Sequence, residues 1–393
     1  MRASSSIDIY AYICYNLLKL TTTKMSSHYE RSIHPDLTAP IPEVPSLAGW
    51  KEIPFENTEK SNEPLVAVGI FSDHPKVLTS SVYANEHHNS PYHGGLEGSN
   101  VAVFMREGVA EKLDKAADLL PKGMHLMVMD AYRSLQVQGA LFEQYRSGVV
   151  RQHPEWSDDE VSAETQKYVS VPSTDESRPS PHNTGASVDV VIVHVDDEVQ
   201  AMVDDIDERL DASDLTWQDE YSLTMKRSEI MRRNAKMLDF GTRFDHGGPS
   251  AALRHMEEES SKRELTDDES LQLSNRRLLF NVMASAGMEP YADEWWHYND
   301  PASQMGAKVA GIDHAEYGAI ELSAENREFA RMREQHHLNS VRLARGEEWV
   351  PPKGLEIHYK LARAAVFANN PKDVWRMLDT VDKIEPPDAN KAA

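Results

Sequence analysis

The sequence predicts a protein of mixed strands and helices, and three observations carry that prediction. Val188 to Val195 is nearly all apolar and β-branched, the pattern of a central strand buried on both faces. Thr266-Asp267-Asp268-Glu269 has the spacing of a capping box and opens a helix that Leu278, Leu279, Val282 and Met283 anchor and Gly287 ends. Between and around these, short apolar runs bounded by turn residues alternate with segments of helical spacing.

In chain order, residues 26–63 are rich in Pro, Ser and charge and read as an arm or linker. Pro64 to Phe71 reads as a strand and the Gly-rich stretch from Ala84 to Asn100 as a long loop. Val109 to Leu120 has the spacing of a helix, stopped by Pro121-Lys122-Gly123. His125 to Met129 is a short buried strand running into Asp130-Ala131-Tyr132-Arg133, and Leu135 to Tyr145 follows as a helix. Ser147 to Pro181, with many Pro, Ser and acidic residues and a short helix from Asp158 to Tyr168, reads as a lid or insertion. Past the Val188 strand, Asp196 to Asp219 reads as an acidic excursion, Tyr221 to Met237 as a helix and Tyr291 to Tyr298 as one aromatic strand. The remainder after Pro301 reads as mostly helical, with Asn370-Pro371 as cap and first turn of a last helix. The expected organisation is an arm over residues 1–63, a body over 64–300 with insertions at 147–181 and 196–240, and a helical C-terminal extension over 301–393.

The chain has 393 residues, enough for one large core or two ordinary ones. Its formal charge of −23 argues against a nucleic-acid partner, because phosphate binding needs a concentrated Lys/Arg surface. The basic pairs Arg232-Arg233 and Arg276-Arg277 read as solvated helix faces. Cys14 is the single cysteine, which excludes an intrachain disulfide, a Cys-rich zinc knuckle and a redox thiol pair. No run approaches the roughly 18 apolar residues of a membrane helix. Ile7 to Leu20 is apolar but interrupted by Asp8 and Lys19, so the expectation is a cytoplasmic protein, secreted or periplasmic if residues 1–24 act as a signal.

The chemistry concentrates in Ser180-Pro-His-Asn-Thr-Gly185 and in Asp189, seven residues after His182 and inside the apolar strand. A carboxylate buried there needs a cation or several donors. A divalent metal shared with His182 meets that need, and so does an Arg partner with His182 merely closing a turn. Glu294-Trp295-Trp296-His297 tilts the balance, since it offers a second imidazole with a carboxylate three residues away. Catalytic zinc commonly takes three protein ligands and leaves a position for water, whose proton a nearby carboxylate can take. A regular strand turns Glu294 and His297 to opposite sides, so both can serve one site only if the segment is irregular. Arg133, where a strand meets a helix, suits either an oxyanion or a salt bridge to Asp130. The two tryptophans read as core. Other histidines, among them His87, His88, His93, His125, His194, His246, His336 and His337, lack an equally constrained setting.

These motifs together resemble the VanX-like dipeptidase branch of the zinc D-Ala-D-Ala peptidases. The matching pieces are Asp130-Ala-Tyr-Arg-Ser134, Ser180-Pro-His-Asn-Thr-Gly185 with Asp189, Gly241-Thr-Arg-Phe-Asp245, the helix start Asn275-Arg-Arg-Leu-Leu279, and Glu294-Trp-Trp-His-Tyr298, in the family's order. The resemblance implies an α+β class: a compact domain with a central antiparallel sheet flanked by helices. It implies one zinc ion per chain held by His182, Asp189 and His297, Glu294 as general base and acid, Arg133 supporting the transition state, and Ser180 and Asp245 holding the substrate. It covers residues 64–300 with interruptions. Arg243 stands where the family has proline, and the acidic stretch and the C-terminal extension are departures.

The expected function is zinc-dependent hydrolysis of a short peptide, D-Ala-D-Ala first. Alternatives are a D,D- or L,D-carboxypeptidase acting on longer peptidoglycan stems, and a non-catalytic zinc-containing binding module. The expected partner is a small dipeptide, and the C-terminal helices are candidates for a contact between copies of the chain.

Overall fold

A computed structural model describes residues 36–84, 95–166, 168–212 and 215–344. Its centre is β5 (Ser187–His194), and the reason is compositional: Val188, Val190 and Ile192 on one parity and Val191 and Val193 on the other are all buried. β4 (Met124–Asp130) runs antiparallel along one edge of β5, and β2 (Leu78–Thr79) adds parallel to β4. Two strands share the opposite edge: β8 (Glu294–Asn299) pairs with Ser187, Val188 and Asp189, and β6 (Lys236–Met237) pairs with Val193 and His194. β7 (Glu289–Tyr291) lies outside β8. Six strands thus form one mostly antiparallel sheet, and β1 (Leu65–Val68) with β3 (Val103–Arg106) forms a separate antiparallel ribbon. The class is α+β.

Nine α-helices lie among the described residues. α1 (Glu107–Asp118) buries Val109, Ala110, Leu113 and Ala116, one stripe at helical spacing. α2 (Leu135–Gln152) is capped by the Ser134 hydroxyl, which accepts from the Val137 N–H, and runs seven residues past the expected Tyr145. α3 (Asp158–Thr165) starts at a full capping box of Ser157 and Glu160. The acidic excursion forms α4 (Asp197–Leu210): Val199, Val203 and Ile206 recur every three or four residues and are buried, Val199 and Val203 beside Val195 and Met231. Met231 belongs to α5 (Trp217–Asn234), which packs on α4.

α6 (His255–Lys262) precedes α7 (Asp267–Ser285), which opens at the capping box of Thr266 and Glu269. Asn275 is therefore mid-helix and not a helix start. Arg276 is not a solvated face either: it is 1% exposed and donates to the carbonyls of Phe240, Ala252 and Ser250. Asn275 donates to the Asp239 carbonyl, so α7 holds the 239–252 loop by its backbone. α8 (Gln304–Ala310) and α9 (Ala324–Ala344) follow, and the Asn370-Pro371 helix lies outside the described residues.

The aromatic segment is two strands rather than one. β7 and β8 form a hairpin turning at Ala292-Asp293, and its register jumps from Pro290↔Tyr298 to Tyr291↔Glu294. Trp295 and Trp296 are core residues, 1% and 2% exposed, with Trp295 stacked on Phe240 and its indole N–H donating to Thr242. Residues of the 36–63 stretch lie on this body: Ile41 is in the core, its N–H donates to Glu257, and Glu56 and Pro54 exchange backbone bonds with Ala315. Among the described residues no helix is long and apolar enough to cross a membrane.

Candidate metal centre

His182 sits on a single 3-10 turn, Pro181–Thr184, that Gly185 closes in the left-handed conformation at φ 69°. A Cβ at Gly185 would press on the end of the Leu65 side chain, and the left-handed backbone angle favours glycine there. The turn is knitted to the end of β4: the Arg133 N–H donates to the His182 carbonyl, and the Asn183 amide donates to the Arg133 carbonyl. Asp189 on β5 and His297 on β8 are direct cross-strand partners and share a sheet face.

One atom each of His182, Asp189 and His297 lies within 4.8 Å of the others, and all three side chains are buried. This is the one group of three metal-ligating side chains of that kind among the described residues. His125 is bonded to Gln200, His246 is exposed, and His87, His88 and His93 lie outside the described residues. His297 Nδ1 is 2.9 Å and His182 Nε2 is 3.6 Å from Asp189 Oδ1. The other nitrogen of each ring is engaged: His182 Nδ1 lies 2.8 Å from the Ala131 carbonyl, and His297 Nε2 lies 3.1 Å from Asn299 Oδ1. An acceptor on one ring nitrogen leaves the other free to bind a cation. Two imidazoles so arranged with one carboxylate fit a divalent metal of the zinc type.

The electrostatics favour a neutral imidazole at His182 but not at His297, where burial lowers the pKa and the hydrogen bond and charge of Asp189, with Glu294, outweigh it and raise it. Burial, with Arg133 and His297 nearby, pushes the His182 imidazole down to about 3, so it is neutral at ordinary pH. Burial raises Asp189, but His182, the hydrogen bond from His297 and Arg133 outweigh it and hold the carboxyl below its usual range.

Glu294 Oε2 is 3.8 Å from His297 Nδ1. The jump in the β7–β8 register supplies the irregularity that puts residues three apart on one side. Desolvation pushes the Glu294 carboxyl up to about 7, helped by Asp189 and Asp245 and opposed by His297 and Arg133. Its side chain keeps 34% of its surface and can meet a solvent molecule.

Arg133 makes the salt bridge to Asp130, with Nε and Nη2 both donating to Oδ2 at 3.0 and 2.5 Å. Its Nη1 donates to Gln138, and the guanidinium lies 4.7 Å above the Tyr83 ring. Asp130 stands across from Asp189 because Met129 is skipped in the β4–β5 register, and its Oδ2 is 3.3 Å from His182 Nδ1. Ser180 stands at the N-terminus of the His182 turn, is 5% exposed, and its hydroxyl has no hydrogen-bond partner among the described residues. Asp245 is exposed with φ 59°, a left-handed setting uncommon for a residue other than glycine.

Residues 219–314 match the family model described as D-ala-D-ala dipeptidase. The chain is similar to the D-Ala-D-Ala dipeptidases. A D-alanyl-D-alanine dipeptidase of Synechocystis sp. is 25% identical over 267 residues, which span 64% of this chain and 87% of that protein. Both likenesses point to a peptidase. The segment matched to the dipeptidase family contains Asp245, Glu294 and His297, whereas Arg133, His182 and Asp189 come from upstream elements that β4 and β5 bring alongside.

Sequence reasoning missed Asn299 and Ser187, which flank His297 and Asp189 on the same sheet face. Period-two alternation from His297 and Asp189 points to both of them. It also missed Asp130 as a neighbour of His182, since a bulge leaves no mark in the local pattern.

Proposed function

We propose that the protein is a zinc-dependent dipeptidase that hydrolyses D-Ala-D-Ala. One observation carries this reading: the buried His182, Asp189 and His297 converge within 4.8 Å while Glu294 stands 3.8 Å from His297. Zinc bound by those three residues would lower the pKa of a water and polarise the scissile carbonyl.

Glu294 would take the proton of the attacking water and pass it to the departing amine. Its carboxyl, pushed up to about 7, is matched to accepting and returning a proton near neutrality. Arg133, fixed by Asp130 and Gln138, would hold a guanidinium against the negative charge that develops on the carbonyl oxygen. The Ser180 hydroxyl would donate to the substrate's carboxylate, and Asp245 would face its free ammonium. A purely structural zinc site would need neither Glu294 nor Arg133 beside it.

The test compares D-Ala-D-Ala with its N-acetyl form. Cleavage of the free dipeptide alone supports the proposal, because Asp245 requires a charged amine. Equal cleavage of the blocked substrate would contradict the dipeptidase assignment and favour a carboxypeptidase acting on longer peptidoglycan stems.

A further inference from the structure

Ser187 and Asn299 form the cross-strand pair next to Asp189 and His297, on the same face of the sheet. Both are wholly buried. Asn299 Oδ1 lies 2.6 Å from the Ser187 hydroxyl, which donates to it, and 3.1 Å from His297 Nε2. With a metal on Nδ1 the ring proton would sit on Nε2, where Asn299 Oδ1 is placed to accept it. Nδ1 is the nitrogen that faces Asp189 Oδ1 at 2.9 Å.

The orientation of the amide decides the outcome. Turned over, it would present an N–H donor to His297 Nε2 and drive the imidazole proton onto Nδ1, the nitrogen needed for a ligand. In the orientation present the Ser187 hydroxyl donates to Oδ1. His182 obtains the same control from the Ala131 carbonyl, a backbone group that substitution cannot remove. The control over His297 rests on a side chain and can be removed.

We propose that Asn299 is a positioning residue that fixes the Nε2–H tautomer of His297 and thereby sets the affinity of the centre for its metal. This rests on the metal reading of the centre given above. An outer partner of a ligating histidine typically carries about 10- to 100-fold in metal affinity.

The experiment measures zinc affinity of the full-length protein by competition with a chromophoric chelator, for wild type, Asn299→Leu, Asn299→Asp and His182→Ala. Circular dichroism of each metal-free form checks folding. The leucine variant should bind zinc about 10- to 100-fold more weakly, and the aspartate variant, which keeps an acceptor in place, within roughly threefold of wild type. Wild-type affinity in Asn299→Leu, or equal weakening in both Asn299 variants, overturns the inference while loss of zinc in His182→Ala leaves the metal reading intact. No stoichiometric zinc in wild type overturns both. If Asn299→Leu does not fold, 15N spectra of histidine-labelled, zinc-loaded wild type decide: the His297 proton on Nε2 supports the proposal, and on Nδ1 it overturns it.

Discussion

Asp189 and His297 face each other across the β5–β8 pair, with the imidazole Nδ1 2.9 Å from the carboxylate. Two buried titratable groups in adjacent strands are costly unless something binds them together, as the proposed shared cation would. Asp189→Asn keeps the shape and removes the charge. It is expected to weaken zinc binding by more than the roughly 10- to 100-fold typical of outer partners, measured by chelator competition.

Glu294 stands 3.8 Å from His297, and the proposed ligand set is complete without it. Glu294→Gln is expected to retain zinc stoichiometrically while kcat for D-Ala-D-Ala falls by about 10²- to 10⁴-fold, the range for loss of a general acid/base. Metal analysis and steady-state kinetics on the same preparation separate the two effects.

Arg133 uses three nitrogens on Asp130 and Gln138, a forked geometry that a lysine cannot reproduce. Arg133→Lys is expected to lower kcat by about 10²- to 10³-fold with little change in zinc affinity, as for loss of an oxyanion donor. An unchanged kcat would leave Arg133 as a structural partner of Asp130.

The Trp295 side chain is core, stacked on Phe240 and bonded to Thr242. Trp295→Ala is expected to cost about 3–5 kcal/mol in urea unfolding of the metal-free protein. A cost near zero would mean that the hairpin bearing His297 is not anchored by this residue.

Glu257 joins the 36–63 stretch to the body, accepting from the Ile41 N–H and from Arg277. Desolvation pushes its carboxyl up, but Arg277 and Ile41 prevail and hold it below the usual range. Its stabilisation is therefore complete above the unfolded glutamate pKa of about 4.3 and is lost as pH falls through the lower folded value. Glu257→Gln is expected to cost about 1 kcal/mol at pH 7, modest because Arg277 is partly exposed, and the difference from wild type should shrink below pH 4 in acid titrations.

Much of this was legible in the sequence wherever one residue's environment follows from its neighbours. Eight nearly apolar residues marked β5 as central, and an aspartate within them demanded a partner. The Thr266 capping box located α7. What escaped depends on register and on distant backbone. The acid content of residues 196–219 hid the Val199–Val203–Ile206 stripe, the hairpin turn at Ala292-Asp293 has no glycine or proline to announce it, and the buried role of Arg276 comes from three carbonyls 24 to 36 residues away. Asp130 meets His182 only through the skipped Met129.

The most direct test is hydrolysis of D-Ala-D-Ala by the purified full chain as isolated, after removal of metal with a chelator, and after addition of one equivalent of zinc. Cleavage that disappears on chelation and returns at one zinc per chain is the expected result. Undiminished cleavage by the metal-stripped protein, or none by the zinc-loaded protein, would contradict the account.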